Sequence, residues 1–120
     1  MPDAPRKFTA VSTDHHRFPI GVERDILAQV GCTLVPAICK SEEEIIAACR
    51  DAHAILSSRA KFTRRVIEAL KEVLVISRYG IGVDTVDVPA ATEHGIIVAN
   101  VPDFCFDQVA DTAMSLILSV

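Results

Sequence analysis

Five short apolar segments recur along the 120-residue chain, with amphipathic stretches between them. The segments are KFTAVST (7–13), CTLVPAI (32–38), AILSS (54–58), VLVISRY (73–79) and IIVANV (96–101). They are rich in Val and Ile, and most are near-continuous rather than alternating, which is typical of strands covered on both faces. Strands that alternate with helices in this way predict an α/β domain built on a parallel sheet.

The stretches between these strands predict helices with identifiable ends. Gly31 is placed to end the first helix as a left-handed cap, and Gly95 is placed to end the fourth. Ser41 and Glu44 have the spacing of a capping box at the start of the second helix. The predicted N-caps of the three later helices are Thr63, Asp87 and Asp107.

The five alternations favour a flavodoxin-like, doubly wound sheet of five parallel strands in the order 2-1-3-4-5, with helices on both faces. The apolar face of the first helix is predicted to consist of Val22, Ile26, Leu27 and Val30. That of the last helix is predicted to consist of Val109, Ala110, Ala113, Leu116 and Ile117. The chain ends with MSLILSV, which is apolar and in mid-helix, so we expect it to be part of a longer protein, truncated near 107–120.

Composition excludes several classes of function. The formal charge is −4 and no basic stripe is present, so we expect no nucleic-acid partner. No apolar run reaches transmembrane length and the start lacks the apolar core of a signal peptide, which predicts a cytoplasmic protein without a membrane partner. No CxxC pair occurs, so we expect no metal site, and the cysteines are predicted to be buried thiols: Cys32, Cys39, Cys49 and Cys105.

The motif VISRYGIGVD carries Gly80 and Gly82 past the end of the fourth strand. A dinucleotide fingerprint would need a third glycine at position 85, where this chain has Thr85, and a helix starting earlier than Val88. Two interpretations remain. Backbone amides of the turn form a nest that accepts a carboxylate, with Arg78 pairing a second acidic group; or the turn is a plain connection and Arg78 is solvated or bound to the local backbone.

The segment SRYGIGVDTVDVPAATEHGIIVANVP, with its continuation DFCFDQVADTAMSLIL, resembles the catalytic-domain signature of the D-isomer-specific 2-hydroxyacid dehydrogenases, the family of phosphoglycerate dehydrogenase. The opening VSTDHHRFPIGVERDILAQVGCTLV is similar to a bacterial subgroup related to the C-terminal-binding proteins. The resemblance implies that residues 1–120 are the substrate-binding domain of a homodimeric, NAD-dependent two-domain enzyme. Its catalytic Arg, Glu and His and its NAD-binding domain would lie outside this sequence, and the last helix would bridge the two domains.

The same resemblance implies roles for individual residues. The amides of Gly80, Ile81 and Gly82 would bind the carboxylate of a small 2-keto or 2-hydroxy acid, and Ile81 would also contact the nicotinamide end of NAD. Arg78 matches a substrate-facing arginine. Ser57 stands where the phosphoglycerate branch has another substrate arginine, and this departure argues against a phosphorylated substrate. The alternative function is a non-enzymatic corepressor or interaction module with a dehydrogenase fold.

Polar residues near the same edge of the predicted sheet have less specific interpretations. Asp84 and Asn100 are predicted to hold the turn together through hydrogen bonds from side chain to backbone. Asp14, His15 and His16 follow the first strand. They either form part of the rim of a cleft or are solvated loop residues.

Overall fold

The computed structural model describes residues 7–14 and 19–120. The strands within these ranges are β1 (Phe8–Ser12), β2 (Cys32–Pro36), β3 (Ala54–Ser57), β4 (Val75–Arg78) and β5 (Ile97–Ala99). The helices are α1 (Gly21–Gln29), α2 (Glu42–Cys49), α3 (Arg64–Ala69), α4 (Val88–Glu93) and α5 (Phe106–Leu118). His15 and His16 lie outside the described residues.

The strands form one parallel sheet in the order β2-β1-β3-β4-β5, which confirms the predicted topology. Register follows the apolar pattern, because Ile55 of β3 pairs with Ile76 of β4 and Ile76 pairs with Val98 of β5. Since all strands are parallel, their carboxyl ends meet at one edge of the sheet. The polar residues that follow β1, β3 and β4 therefore lie at that edge.

The two faces of the sheet are covered unequally. The larger core lies under α2, α3 and α4, where Phe62, Ile67 and Ile76 are fully buried. The opposite face is covered by α1, with a small core of Ala10, Ile20, Cys32 and Leu34. Helices therefore lie on both faces as predicted, but one face carries most of the apolar packing.

The predicted inner face of α1 is only partly correct. Leu27 packs against the small core, whereas Val22, Ile26 and Val30 are 58 to 70% exposed. The physical reason is that α1 contacts the edge strand β2, so the sheet beneath it is too narrow to cover its whole apolar stripe.

The helix α5 does not pack on the sheet. None of its residues is buried, and the predicted face that includes Val109, Leu116 and Ile117 is exposed. Exposure of this face agrees with the expectation that the last helix leaves the domain, and its role as a bridge between two domains stays a prediction. In the part of the chain that is described, no helix is long and apolar enough to cross a membrane.

Several predicted helix ends are confirmed. Gly31 and Gly95 take left-handed conformations, with φ of +73° and +70°. Asp87 accepts a hydrogen bond from the amide of Ala90 at 2.9 Å at the start of α4. Each of these positions has a local backbone requirement that its residue type meets, so a short stretch of sequence suffices to predict it.

The capping box at α2 is shifted by one residue. Ser41 accepts from the amide of Glu44 at 3.2 Å, as expected. The carboxylate of Glu44 accepts from the amide of Lys40 at 2.6 Å, where a regular box would use the amide of Ser41.

One predicted cap lacks its side-chain bond and another is wrong. Thr63 is the N-cap of α3 as predicted, but its hydroxyl donates to Glu42 Oε1 at 2.7 Å and makes no cap bond. The helix α5 begins at Phe106, and its N-cap is Cys105 with a φ of +61°, which leaves Asp107 inside the first turn. A tertiary partner in one case and a strained backbone in the other overrode the local preference.

The cysteines are free thiols in the described chain. Cys32 and Cys49 are buried as predicted, while Cys39 and Cys105 are only partly buried. Burial, aided by the nearby Cys39, raises the pKa of Cys49 to about 12. At neutral pH this thiol is protonated and behaves as a small apolar core residue.

Candidate functional site

The site lies where the loops after β3 and β4 meet at the carboxyl edge of the sheet. We call residues Gly80, Ile81 and Gly82 the glycine turn. The backbone ladder ends just before it, since the amide of Tyr79 donates to the carbonyl of Ser57 at 2.9 Å. Beyond that bond the strands separate, and the turn is free to face a ligand rather than a neighbouring strand.

Every carbonyl of the glycine turn is bonded to the protein. The carbonyl of Gly80 accepts from the amide of Val101 at 3.0 Å, and that of Ile81 accepts from the side-chain amide of Asn100 at 2.8 Å. The carbonyl of Gly82 accepts from the guanidinium of Arg78 at 3.0 Å. The prediction that Asn100 holds the turn is confirmed.

The amides of the turn are in the opposite situation. Within residues 7–14 and 19–120, the amides of Gly80, Ile81, Gly82 and Val83 donate to no protein acceptor. Every peptide bond described is trans, so the N–H that shares a peptide with a bonded carbonyl points the opposite way. The bonds to the three carbonyls therefore direct the amides of Ile81, Gly82 and Val83 away from their carbonyl partners.

The backbone conformation of the glycine turn is that of an ordinary turn. Positive φ values in the described chain occur at Gly31, Gly95 and Cys105, and not in the glycine turn. Successive amides in a turn can form an anion-binding nest without a left-handed residue, so binding of a carboxylate there stays a prediction. What remains is a row of unpaired amide donors, in a turn whose residues are all at least partly exposed.

The two glycines differ in the space around them. A Cβ at Gly80 would meet nothing within 4 Å, whereas a Cβ at Gly82 would lie 2.7 Å from Oδ1 of Asp84. Asp84 therefore lies against the turn, but it makes no hydrogen bond to any residue that the structure describes. Its predicted role in holding the turn by hydrogen bonding is not found.

The guanidinium of Arg78 points into the protein, where it is bonded to neighbouring loops. It is 9% exposed, and its Nη1 atom donates to Gly82 and to the hydroxyl of Thr85 at 2.6 Å. Its Nη2 atom donates to the carbonyl of Ser58 at 2.5 Å. Of the two interpretations, the one in which Arg78 binds local backbone fits this geometry. The guanidinium joins the two loops and leaves a positive charge beneath the glycine turn.

Asp14 occupies the neighbouring position after β1. It is buried, at 6% exposure, and its Oδ2 atom accepts from the amides of Ser58 at 2.7 Å and Arg59 at 3.2 Å. The hydroxyls of Thr13 and Ser57 donate to the same oxygen at 3.1 and 3.2 Å. We call these five residues the Asp14 cluster. A solvated loop residue does not fit a buried carboxylate with four donors, whereas Asp14 also borders a cavity, so its role at the rim of a cleft stays a prediction.

The environment of Asp14 has opposing effects on its acidity. Burial acts to raise the pKa of Asp14, but the hydrogen bonds from Ser58, Arg59, Thr13 and Ser57 stabilise the carboxylate. The net effect is a pKa below the usual value of 3.8. Asp14 is therefore ionised at neutral pH.

The side chain of Ser57 is engaged inside the protein. Ser57 is fully buried, and its hydroxyl donates to Asp14. In the described chain it belongs to the Asp14 cluster, and its contact with a substrate stays a prediction.

A cavity of about 460 Å³ opens beside the Asp14 cluster, between the loops after β2 and β3. Its lining includes three cations, Lys40, Arg59 and Lys61, and two carboxylates, Asp14 and Glu42. The ion pairs found among the described residues use Arg64 and Arg65, so none of the three cations is in a salt bridge there, and the cations outnumber the carboxylates. Sequence reasoning missed this set because Lys40 is distant in sequence from the other two.

Two further side chains lie at the glycine turn, that of Tyr79 directly before it and that of Ile81 within it. The hydroxyl of Tyr79 donates to Glu23 Oε1 at 3.0 Å, which ties the start of α1 to the end of β4. Burial and the bond to Glu23 both raise the pKa of Tyr79, so its hydroxyl stays protonated. Ile81 is 43% exposed at the turn, where its side chain is available to a ligand.

Comparison with known proteins gives a consistent result. Residues 22–115 match the family described as D-isomer specific 2-hydroxyacid dehydrogenase, catalytic domain. The chain is 44% identical over 95 residues to D-3-phosphoglycerate dehydrogenase of Methanocaldococcus jannaschii, covering 78% of this chain and 18% of that protein. It is 38% identical over 81 residues to glyoxylate reductase of Thermofilum pendens, covering 67% of this chain and 24% of that protein.

Solved structures agree with the fold. An NAD⁺-bound 3-phosphoglycerate dehydrogenase of Entamoeba histolytica superimposes with a TM-score of 0.80 at 26% identity, covering 92% of this chain and 38% of that one. A glyoxylate reductase of Paecilomyes thermophila gives a TM-score of 0.78 at 28% identity, covering 98% of this chain and 38% of that one. The chain thus spans about a fifth of the length of the curated relatives it matches, with shares of 18, 19 and 18% for the first three.

Proposed function

Since the chain belongs to the D-isomer specific 2-hydroxyacid dehydrogenase family and matches its catalytic domain, we propose that it binds the substrate of an NAD-dependent oxidoreductase acting on D-2-hydroxy acids. The ligand of the glycine turn would be the carboxylate of a small 2-keto or 2-hydroxy acid. One observation carries this proposal: the carbonyls of the turn are all bonded to the protein, while its amides have no acceptor in the described chain.

The chemistry of such a site follows from the amide geometry. A carboxylate accepts hydrogen bonds from several backbone amides at once, and charge-assisted bonds of this kind are stronger than neutral ones. The buried charge of Arg78 beneath the turn adds attraction for an anion without using a hydrogen bond on it. The exposed side chain of Ile81 would provide an apolar wall at one side of the acid.

The cation-lined cavity supports a further feature of the substrate. Lys40, Arg59 and Lys61 favour an acidic group at the end distant from the reacting carbon. This differs from the sequence-based argument against a phosphorylated substrate, which rested on Ser57. Because Ser57 is fully buried, the lysines and Arg59 are a better guide to the charge of the substrate.

NAD is part of the proposal and would supply or remove a hydride at the 2-carbon of the acid. The described residues do not fit a pyrophosphate site, because α4 begins at Val88 and its N-terminus does not adjoin the glycine turn. The contribution of this chain would be to fix the acid by its carboxylate and to offer Ile81 to the nicotinamide. A homodimeric assembly, a cytoplasmic location and a nucleotide-binding domain beyond these residues complete the proposal.

The test uses the full-length protein that contains these residues. We expect it to oxidise NADH in the presence of glyoxylate, hydroxypyruvate or 3-phosphohydroxypyruvate, with the last preferred if the cation-lined cavity receives the distal group. The double variant Lys40→Ala, Lys61→Ala should abolish that preference and leave glyoxylate turnover unchanged. If NADH binds but none of these acids is reduced, the enzyme proposal fails and the non-enzymatic interaction module is favoured.

A further inference from the structure

The Asp14 cluster is joined to the glycine turn by a continuous set of short polar contacts. The first link runs from Asp14 to the loop after β3, whose amides at Ser58 and Arg59 both donate to one carboxylate oxygen. These contacts bridge 44 and 45 positions in sequence. The position of that loop is therefore set by a side chain on β1 rather than by its own sequence.

The second link is Ser58 itself. Its amide donates to Asp14 at 2.7 Å, and its carbonyl accepts from Arg78 Nη2 at 2.5 Å. Both backbone polar groups of this residue are thus engaged, one on each side. A movement of Ser58 would shift its carbonyl, which is one of the acceptors that orient the guanidinium of Arg78.

The third link runs from Arg78 to the turn. Nη1 donates to the carbonyl of Gly82 at 3.0 Å and to the hydroxyl of Thr85 at 2.6 Å. Because the Gly82 carbonyl shares a trans peptide with the amide of Val83, the direction of that N–H depends on where Arg78 lies. A planar guanidinium with three acceptors has little freedom to reorient.

We propose that Asp14 is a positioning residue of the anion site, holding the glycine turn in its binding geometry through Ser58 and Arg78. This inference rests on the proposed carboxylate-binding role of the turn. Asp14 makes no hydrogen bond to the glycine turn in the described chain, and its Oδ2 atom is occupied by four donors from other residues.

Removal of the Asp14 carboxylate should change the affinity for an anion in one direction if Asp14 acts through its charge, and in the opposite direction if it holds the turn in place. A carboxylate near an anion site repels the ligand, so removing its charge alone would tighten binding. A positioning residue acts in the other direction, because its loss lets the loop and then the turn relax. The sign of the change in affinity therefore separates the two roles.

The experiment titrates the 120-residue chain with oxalate and follows the backbone amide signals by NMR. In Asp14→Asn we expect the dissociation constant for oxalate to rise roughly five- to tenfold, the effect of about one misplaced hydrogen bond. The matched control is Asp87→Ala, which removes the cap bond to Ala90 at the same edge of the sheet. This control should lose stability but keep the affinity of the parent chain. Unchanged or tighter binding by Asp14→Asn would overturn the proposal.

A second readout needs no ligand. In Asp14→Asn the amide signals of Ile81, Gly82 and Val83 should shift and exchange faster with solvent, whereas in Asp87→Ala they should not. If the parent chain fails to bind oxalate, the proposed function fails, but this comparison still decides whether Asp14 positions the turn. Turn signals identical to those of the parent chain would refute that role.

Arg78→Lys covers the case in which Asp14→Asn does not fold. Lysine keeps the positive charge but cannot reach the three acceptors of the guanidinium at once. We expect the same shifts in the turn and weaker oxalate binding, with the amide of Ser58, which donates to Asp14, unchanged. If Arg78→Lys leaves the turn amides and the oxalate affinity unaltered, no coupling runs from Asp14 through Arg78.

Discussion

The Asp14 cluster and the glycine turn lie side by side at one edge of the sheet, yet they satisfy their polar groups in opposite ways. In the cluster, one buried carboxylate oxygen accepts from two amides and two hydroxyls. In the turn, the carbonyls are bonded and the amides have no acceptor in the part of the chain described. The four donors of the first arrangement are satisfied within the protein, and those of the second require water or a ligand.

This difference indicates which of the two regions is suited to bind a ligand. Buried polar groups that satisfy one another stabilise the fold and offer nothing to a ligand. Partly exposed donors held in a fixed direction are prepared for an anion at little further cost in ordering. Arg78 connects the regions, because it donates to Ser58 on one side and to Gly82 on the other.

The largest expected effect is a loss of stability when the Asp14 cluster is disrupted. Asp14→Ala leaves four donors without their acceptor in a buried place, so we expect the free energy of unfolding to fall by about 3 kcal/mol. Urea denaturation measures this. Asp87→Ala, which removes one helix cap, should cost about 1 kcal/mol. Equal losses in the two variants would contradict the view that the cluster is a closed network.

Arg78→Met tests the connection between the regions. It removes the donors to Gly82, Thr85 and Ser58 together with a buried charge, and we expect a loss of about 2 kcal/mol in unfolding free energy. Oxalate affinity should fall as well, because the turn loses both its orientation and a nearby positive charge. A variant that is destabilised but binds oxalate as tightly as the parent chain would show that the two regions are independent.

Asn100 tests the turn alone. Asn100→Leu keeps roughly the size of the side chain and adds no charge, but it removes the donor to the carbonyl of Ile81. Since Asn100 is exposed, stability should change by less than about 1 kcal/mol. Oxalate binding should weaken several-fold, because the Gly82 amide shares its peptide with that carbonyl. A change confined to stability would assign Asn100 to the fold and not to the site.

The smallest effect concerns pH. The pKa of Asp14 is lowered in the folded protein, because hydrogen bonds outweigh burial. A lowered pKa means that the ionised group stabilises the fold above its unfolded value of about 3.8, and that this contribution is lost as pH falls through the folded value. The stability difference between the parent chain and Asp14→Asn should stay constant from about pH 7 to 5 and shrink below about pH 4. Urea denaturation at several pH values measures this. A difference already lost by pH 5 would contradict the lowered pKa.

The sequence predicts the fold well because its signals are local. The apolar segments predict the strands and their order, and Gly31 and Gly95 end helices where a positive φ is required. The strands are shorter than predicted at most ends, since terminal residues such as Tyr79 already belong to loops. The position of Thr63 as N-cap was predicted correctly, but its hydroxyl bonds to Glu42, which is distant in sequence. The predicted cap at Asp107 is wrong because α5 begins after a positive φ at Cys105.

The site was less predictable because its contacts are distant in sequence. The glycine turn was found from its motif, but nothing local shows that Arg78 points inward or that its carbonyl partners include Ser58 and Gly82. The role of Asp14 depends on donors 43 to 45 positions away. A polar residue directly after a buried strand is the signal that could have marked it.

The central claim is that the amides of the glycine turn receive an organic carboxylate. Amide NMR of the 120-residue chain, titrated with oxalate into the millimolar range, tests this most directly. We expect saturable shifts at Ile81, Gly82 and Val83, with the amides of Ser58 and Arg59 unmoved because both already donate to Asp14. Unmoved turn amides at millimolar oxalate, or shifts centred on Ser58 and Arg59 instead, would contradict it.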